Sequence, residues 1–376
     1  MARARQIEEP ADLPEADRIG DFPHPRETRH LVGHDAALAC FAEAIASGRM
    51  HHAWLLTGPR GIGKATLAYR VARIVLAHGV GRAVPRDLSL DEGHPCYRRV
   101  ATGGHGDLLL LRRPWDASAR PARFKTAIPV DEVRRAGSFF SMSAGEGGWR
   151  VCIVDSADEL NPNAANALLK ILEEPPQRAL FLLISHAPGR LLPTIRSRCR
   201  KLPMQPLGDS EMQQLLAQHL PDSDAATLAA LTRLGRGSPG AALALADQGG
   251  VDVYRELTGF LAQLPQPDII ALHALGDRLS RREGEAAYRS LVTLLRQWLA
   301  DMMRAQATGA FPEGADKAEI ALMQQLGAAA PLDQWLEVWD NIGQLAARAD
   351  AVNLDRKQVI LNIFTSLADL VRNKPR

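Results

Sequence analysis

Gly58-Pro59-Arg60-Gly61-Ile62-Gly63-Lys64-Ala65 is the stretch whose residue types and spacing most directly suggest chemistry in this 376-residue chain. Its glycines let backbone N–H groups turn inward around phosphates, and Lys64 is placed to reach the β- and γ-phosphates. A working loop of this kind carries Ser or Thr after the lysine, because that hydroxyl binds Mg²⁺. Here the position is Ala65, which has no ligand atom. Thr66 follows, but one residue along a helix is a rotation of about 100°. A second motif, Val151-Cys152-Ile153-Val154-Asp155, reads as a strand whose terminal Asp helps hold Mg²⁺. Ser156 comes next, where hydrolysis needs a carboxylate to polarise water, and a neutral hydroxyl is a poor general base. Asp158 and Glu159 are expected to point elsewhere. Losing the metal ligand and the carboxylate together predicts no useful turnover. Binding of ATP or ADP through backbone amides and Lys64 stays open, and so do a bound anion and an empty loop.

Such groups need a parallel sheet to hold them, and the flanking sequence supplies one. Ala53–Leu56, Leu108–Leu111, Val151–Val154 and Leu180–Ile184 are short, continuously apolar runs, as expected of strands buried on both faces. They alternate with helical patterns over Thr66–Leu76 and Asn163–Glu174, the second ended by Pro175-Pro176. Residues 31–206 therefore read as an α/β P-loop domain. The first 30 residues, rich in charge and proline, read as an extended, partly ordered arm. Residues 79–106 and 112–125 read as surface loops. The second carries five basic residues around Trp115 and Phe124, which suits either DNA phosphates or a solvated insertion. After Pro206 the pattern is helical only. Residues 209–220, 225–234 and 239–248 predict a three-helix lid within 207–250. Residues 251–376 predict an all-α domain with apolar stripes at Trp335, Val338, Trp339, Ile342 and Leu345 and at Ile360, Ile363, Phe364, Leu367, Leu370 and Val371. Such stripes build a helical core and leave room for an oligomer interface.

Composition narrows the class. The chain is 46% hydrophobic and 23% charged, too apolar for a disordered protein. With 45 Lys and Arg against 43 Asp and Glu, its net charge of +2 gives no global field for nucleic acid. Cys40, Cys96, Cys152 and Cys199 are widely spaced without a CxxC pair, which argues against disulfides and fits a reducing cytoplasm. No apolar stretch reaches the roughly 18 residues of a membrane span, and the first 30 residues contain no apolar run resembling a signal peptide.

Four stretches carry a family resemblance: Arg49–Gly61, Ile128–Arg134, Asp155–Pro176 and Thr194–Cys199. In order and spacing they resemble the bacterial DNA polymerase III clamp-loader AAA+ family, over residues 30 to about 245. The resemblance implies an AAA+ RecA-like domain, a helical lid and an all-α C-terminal collar. It implies work beside clamp-loader ATPase subunits and a clamp-opening subunit, loading a sliding clamp onto primed DNA. In that family the Ser-Arg-Cys motif supplies an arginine finger to the neighbouring subunit's nucleotide site. Carried over, this makes Arg198 the finger, flanked by Ser197 and Cys199; an always-charged guanidinium can clamp a γ-phosphate. The plainer reading is a surface arginine in an arginine-rich chain.

Ser185 matches the strand-end residue that senses γ-phosphate in that family, and it could equally be a hydroxyl bonded to nearby backbone. In the lid, the position matching the family's nucleotide-facing arginine is Gly240. Ala65, Ser156 and Gly240 together imply a subunit without ATPase activity of its own, within a DNA polymerase holoenzyme. A nucleotide would lie on Gly58, Gly61, Gly63, Lys64, Thr66, Asp155 and Ser185. The competing readings are an active motor ATPase of the same family and an AAA+ adaptor outside replication. Related subunits often carry a cysteine-rich zinc module. Cys96 with His94 and His105 lacks a fourth ligand at suitable spacing, so no zinc is expected.

Overall fold

Ala53-Trp54-Leu55-Leu56 and Leu180–Ile184 are apolar at every position, and the strands they form have both faces covered. The computed structural model describes residues 14–120, 122–141, 145, 148–352 and 354–372. The chain forms two compact units, the first comprising residues 1–221 and 236–241, the second 222–235 and 242–376.

The first unit contains β1 (Ala53–Thr57), β2 (Leu108–Leu111), β3 (Trp115–Asp116), β4 (Arg123–Phe124), β5 (Arg150–Asp155), β6 (Ala179–Ser185) and β7 (Arg200–Pro203). Its helices are α1 (Asp35–Ala46), α2 (Lys64–His78), α3 (Pro95–Ala101), α4 (Val130–Ser141), α5 (Pro162–Glu173), α6 (Pro193–Arg198) and α7 (Asp209–His219). Five strands pair in the order β2-β5-β6-β1-β7, all parallel. Alternation along each strand divides the core. Trp54, Leu56, Ile153, Leu182 and Ile184 pack on one face with α1 and α2. Leu55, Cys152, Val154, Phe181 and Leu183 pack on the other with α4 and α5. Each such fully buried aliphatic or aromatic side chain contributes roughly 1.5–3 kcal/mol. Parallel pairing brings the carboxyl ends of all five strands to one edge, where α/β sheets bind ligands.

Three expectations change on contact with the structure. The 79–106 stretch contains α3, capped by the His94 side chain, which accepts from the Cys96 N–H. Cys96 and Val100 are buried in the core. The 112–125 stretch folds into the antiparallel β3–β4 ladder, with Trp115 and Phe124 in edge-to-face contact; residue 121 lies outside the described residues. The arm is docked over its described part, residues 14–30. Buried Arg70 and Arg73 of α2 donate to the carbonyls of Arg29, Arg26 and Thr28. Glu15 and Asp17 pair with Arg26 and Arg112. An ion-pair network tying residues 95 or more apart leaves no local pattern in the sequence. Residues 1–13 of the arm lie outside the described residues.

The second unit is helical: α8 (Ala225–Gly235), α9 (Pro239–Asp247, whose first turn belongs to the first unit), α10 (Gly250–Ala262), α11 (Ile269–Ser280), α12 (Glu285–Thr308), α13 (Lys317–Gly327), α14 (Leu332–Val352) and α15 (Arg356–Arg372). The two stripes face this unit's core. Trp335 and Ile342 of α14 and Ile360, Phe364 and Leu367 of α15 are buried, and α14 packs on α12 and α15. Inside, Glu319 accepts from Arg233 at 2.6 Å and from the Tyr254 hydroxyl, so its buried carboxylate is neutralised and hydrogen-bonded.

Candidate functional site

Lys64 opens α2 directly after the glycine loop that follows β1, so its position is set by a strand, a turn and a helix start. Gly61 adopts φ +80°, and a side chain there would stand 2.6 Å from Ser238 Oγ. The loop is therefore closed from outside by the 236–241 turn. Gly240 N–H donates to the Gly61 carbonyl at 2.9 Å, and Ser238 Oγ donates to the Arg60 carbonyl at 2.7 Å. Lys64 is buried. Its ammonium donates to the loop's own carbonyls, Gly58 at 2.7 Å and Pro59. Burial draws its pKa down to about 8, against the opposing charges of Asp155 and Asp158.

Around Lys64 the fold gathers the strand-end residues. Asp155 ends β5, and its carboxyl is pushed up to about 7, first by burial and then by Asp17 and Glu159, while Arg60 and Lys64 pull it back. Ser156 is buried, its hydroxyl without a hydrogen-bond partner among the described residues. Ser185, fully buried at the end of β6, donates to Asp158 Oδ1 at 2.7 Å, and Asp158 also accepts the His186 N–H. Asp158 is thus engaged along the β6 end, and Glu159 pairs with Arg113 at 3.0 Å. Neither carboxylate takes the place that Ser156 leaves vacant. His186 is pulled down to about 4 by burial and by the cations Lys64 and Arg60. Thr66 lies in the first turn of α2.

This arrangement does not fit a magnesium nucleotide. The residue after Lys64 has no side-chain oxygen for the metal, and the Gly240 backbone lies on Gly61 where an arginine would need room. Among the described residues, no group of three or more His, Cys, Asp or Glu is arranged to hold a metal. Cys96 Sγ donates to the Arg73 carbonyl, and His105 Nδ1 accepts the Asp107 N–H.

The Ser-Arg-Cys motif forms a separate cluster at the end of α6. Cys199 is buried in the sheet's second core, which pushes its thiol up to about 12. Ser197 is exposed and donates to the Thr194 carbonyl at 3.0 Å. Arg198 is half-exposed; one Nη donates to the Thr194 carbonyl at 3.0 Å and the other meets Glu173 Oε1 at 2.8 Å, at the end of α5. A neighbouring arginine is structural, since the Arg200 guanidinium lies 4.6 Å from the centroid of the buried Trp54 ring. The Glu173 partner, the Asp158–Ser185 pair and the seating of Gly240 on Gly61 are contacts that spacing alone could not have found.

A glycine loop after the strand that lies between β6 and β7, an Asp-tipped strand beyond β6, and helices on both faces define an AAA+ module. A family model described as "DNA polymerase III, delta subunit" matches residues 33–208. The chain is 40% identical to DNA polymerase III subunit delta′ of Pseudomonas aeruginosa over 198 residues, 53% of this chain and 56% of that one. It is 35% identical to the delta′ subunit of Escherichia coli over 259 residues, 68% of this chain and 72% of that one. DNA polymerase III subunit gamma/tau of Mycobacterium bovis matches at 28% over 286 residues, 72% of this chain and 46% of that one. The chain belongs to the DNA polymerase III delta′ family. The match spans little more than half the length of the Pseudomonas relative.

Proposed function

We propose that this chain is a non-hydrolysing clamp-loader subunit that completes a neighbouring subunit's ATP site with Arg198. The observation that carries the reading is the contrast between its two clusters. The chain's own phosphate site lacks a hydroxyl at Ala65, a carboxylate at Ser156 and an arginine at Gly240. Arg198, by contrast, stands half-exposed on a short helix anchored by buried Ile195 and Cys199. A guanidinium held so lightly, by one carbonyl and one exposed carboxylate, can exchange Glu173 for a γ-phosphate at little cost. The partners in this reading are clamp-loader ATPase subunits and a clamp-opening subunit in the cytoplasm, acting on a sliding clamp and primed DNA. The chain contributes an α/β domain over 31–206, a lid over 207–250 and a helical collar over 251–376.

The test is a complex reconstituted with its ATPase subunits. Arg198→Ala is expected to lower ATP turnover at the completed site by about 10³ or more, with the complex still assembled by size-exclusion chromatography. Unchanged turnover and clamp loading would overturn the finger role. ATP hydrolysis by the isolated chain, abolished by Lys64→Ala, would instead make it a motor subunit.

A further inference from the structure

We infer that the chain's own N-terminal segment, residues 15–24, is an intramolecular stopper for its phosphate loop. The inference concerns this chain's own loop and depends neither on Arg198 nor on any partner.

The segment crosses the carboxyl edge of the sheet, which is the ligand edge of a parallel α/β fold. At one end, Arg112, immediately after β2, holds Asp17 at 2.5 Å and Glu15 at 2.7 Å. Both carboxylates are largely buried, with side-chain exposures of 8% and 12%. His24 Nε2 lies 3.0 Å from Asp17 Oδ2, and the fully buried His24 ring meets Tyr69 of α2 edge-on. Near the loop, Ile19 packs on the 236–241 turn. A Cβ at Gly240 would lie 3.2 Å from Ile19 Cδ1 and 2.8 Å from Gly61 Cα. Ile19 and Gly61 therefore both close on the same side of Gly240, beside the loop. Asp17 also bears on Asp155, being the largest charge contribution to the rise of that carboxyl after burial itself.

The charges have a simple logic. A phosphate loop collects positive potential from inward N–H groups, a lysine and a helix N-terminus. Asp17 brings a carboxylate to this edge beside Asp155, and Ile19 brings an apolar cover. A nucleotide would have to displace both, together with the pairs to Arg112. The segment is removable in principle, because residues 26–29 are tied to Arg70 and Arg73 by separate hydrogen bonds.

The test uses the full chain and hydrogen exchange read by mass spectrometry. Arg112→Glu places a like charge against Glu15 and Asp17. It is expected to speed exchange by about tenfold in peptides covering 15–24 and, in step, in peptides covering 58–64. Peptides of β5 and β6 should stay protected. Arg112→Lys, which keeps a positive charge beside Glu15 and Asp17, is expected to hold both regions near wild-type rates. Should Arg112→Glu also expose β5 and β6, Ile19→Asp, which leaves the ion pairs in place, is read in the same way. Release of the segment without any change at 58–64 would overturn the inference. So would saturable binding of magnesium–ADP to the wild-type chain while residues 15–24 keep their protection.

Discussion

Gly240 donates its N–H to the Gly61 carbonyl, and a Cβ built on it would stand 2.8 Å from Gly61 Cα. The position is therefore occupied by backbone, and restoring the family's arginine there is not a matter of adding back a charge. Gly240→Arg must lift the 236–241 turn off the loop and push Ile19 aside. It is expected to destabilise the first unit by about 1–3 kcal/mol, as overpacking does, and to restore no ATP hydrolysis, because Ala65 and Ser156 still lack the needed atoms. Urea unfolding and a turnover assay on the isolated chain check both halves. A variant as stable as wild type would show that the turn is not tightly seated. The three missing groups were legible in the sequence, because each is a residue type absent from a position with defined spacing. What replaced them was not. Ser185 turning to Asp158, Lys64 to its own loop and Arg198 to Glu173 are choices made among side chains that only the fold brings together.

The elements behind these residues differ in how openly the sequence declares them. The buried strands were legible because a strand covered on both faces needs a short, continuous apolar run bounded by turn residues. β7 was not: Arg200-Lys201-Leu202-Pro203 is a polar edge strand, paired only to β1 and ending on a proline. What makes it a strand is Arg200 stacking on Trp54 and pairing to an already formed β1. α3 leaves no such mark, because seven residues give too few turns for a period to show. α5, in contrast, has a strong start signal. Asn161 accepts the Ala164 N–H at 2.8 Å and Pro162 follows at the first helical position. This helix carries Glu173 to Arg198, so its N-cap matters for that ion pair as well as for stability. Asn161→Ala is expected to cost about 1 kcal/mol, read as a lowered unfolding midpoint of the first unit. An unchanged midpoint would mean that tertiary packing alone holds the helix.

For the molecule as a whole, the net charge of +2 hides a local concentration of acids and bases where the N-terminal segment meets the sheet. Burial alone would raise the carboxyls of Glu15 and Asp17. Hydrogen bonds and charge from Arg26, Arg112 and His24 more than reverse this and hold both at about 2, below the ordinary 4.5 and 3.8. A carboxylate depressed in the folded state contributes stability that is fully present above its unfolded pKa and disappears as pH falls toward the folded value. The window here runs from about pH 4.5 down to about pH 2, where the unfolded chain takes up protons that the docked segment refuses. Wild-type stability should therefore fall on acidification more steeply than that of a Glu15→Gln, Asp17→Asn double variant, by up to about two protons of slope. Above pH 5 the double variant should already be less stable, with little difference in pH dependence. Unfolding midpoints of the full chain measured from pH 6 to pH 2.5 test this. Parallel curves for the two proteins would mean that the carboxylates are not held by Arg26 and Arg112 in solution. The hold on residues 15–24 would then rest on packing, Ile19 beside the 236–241 turn and His24 against Tyr69.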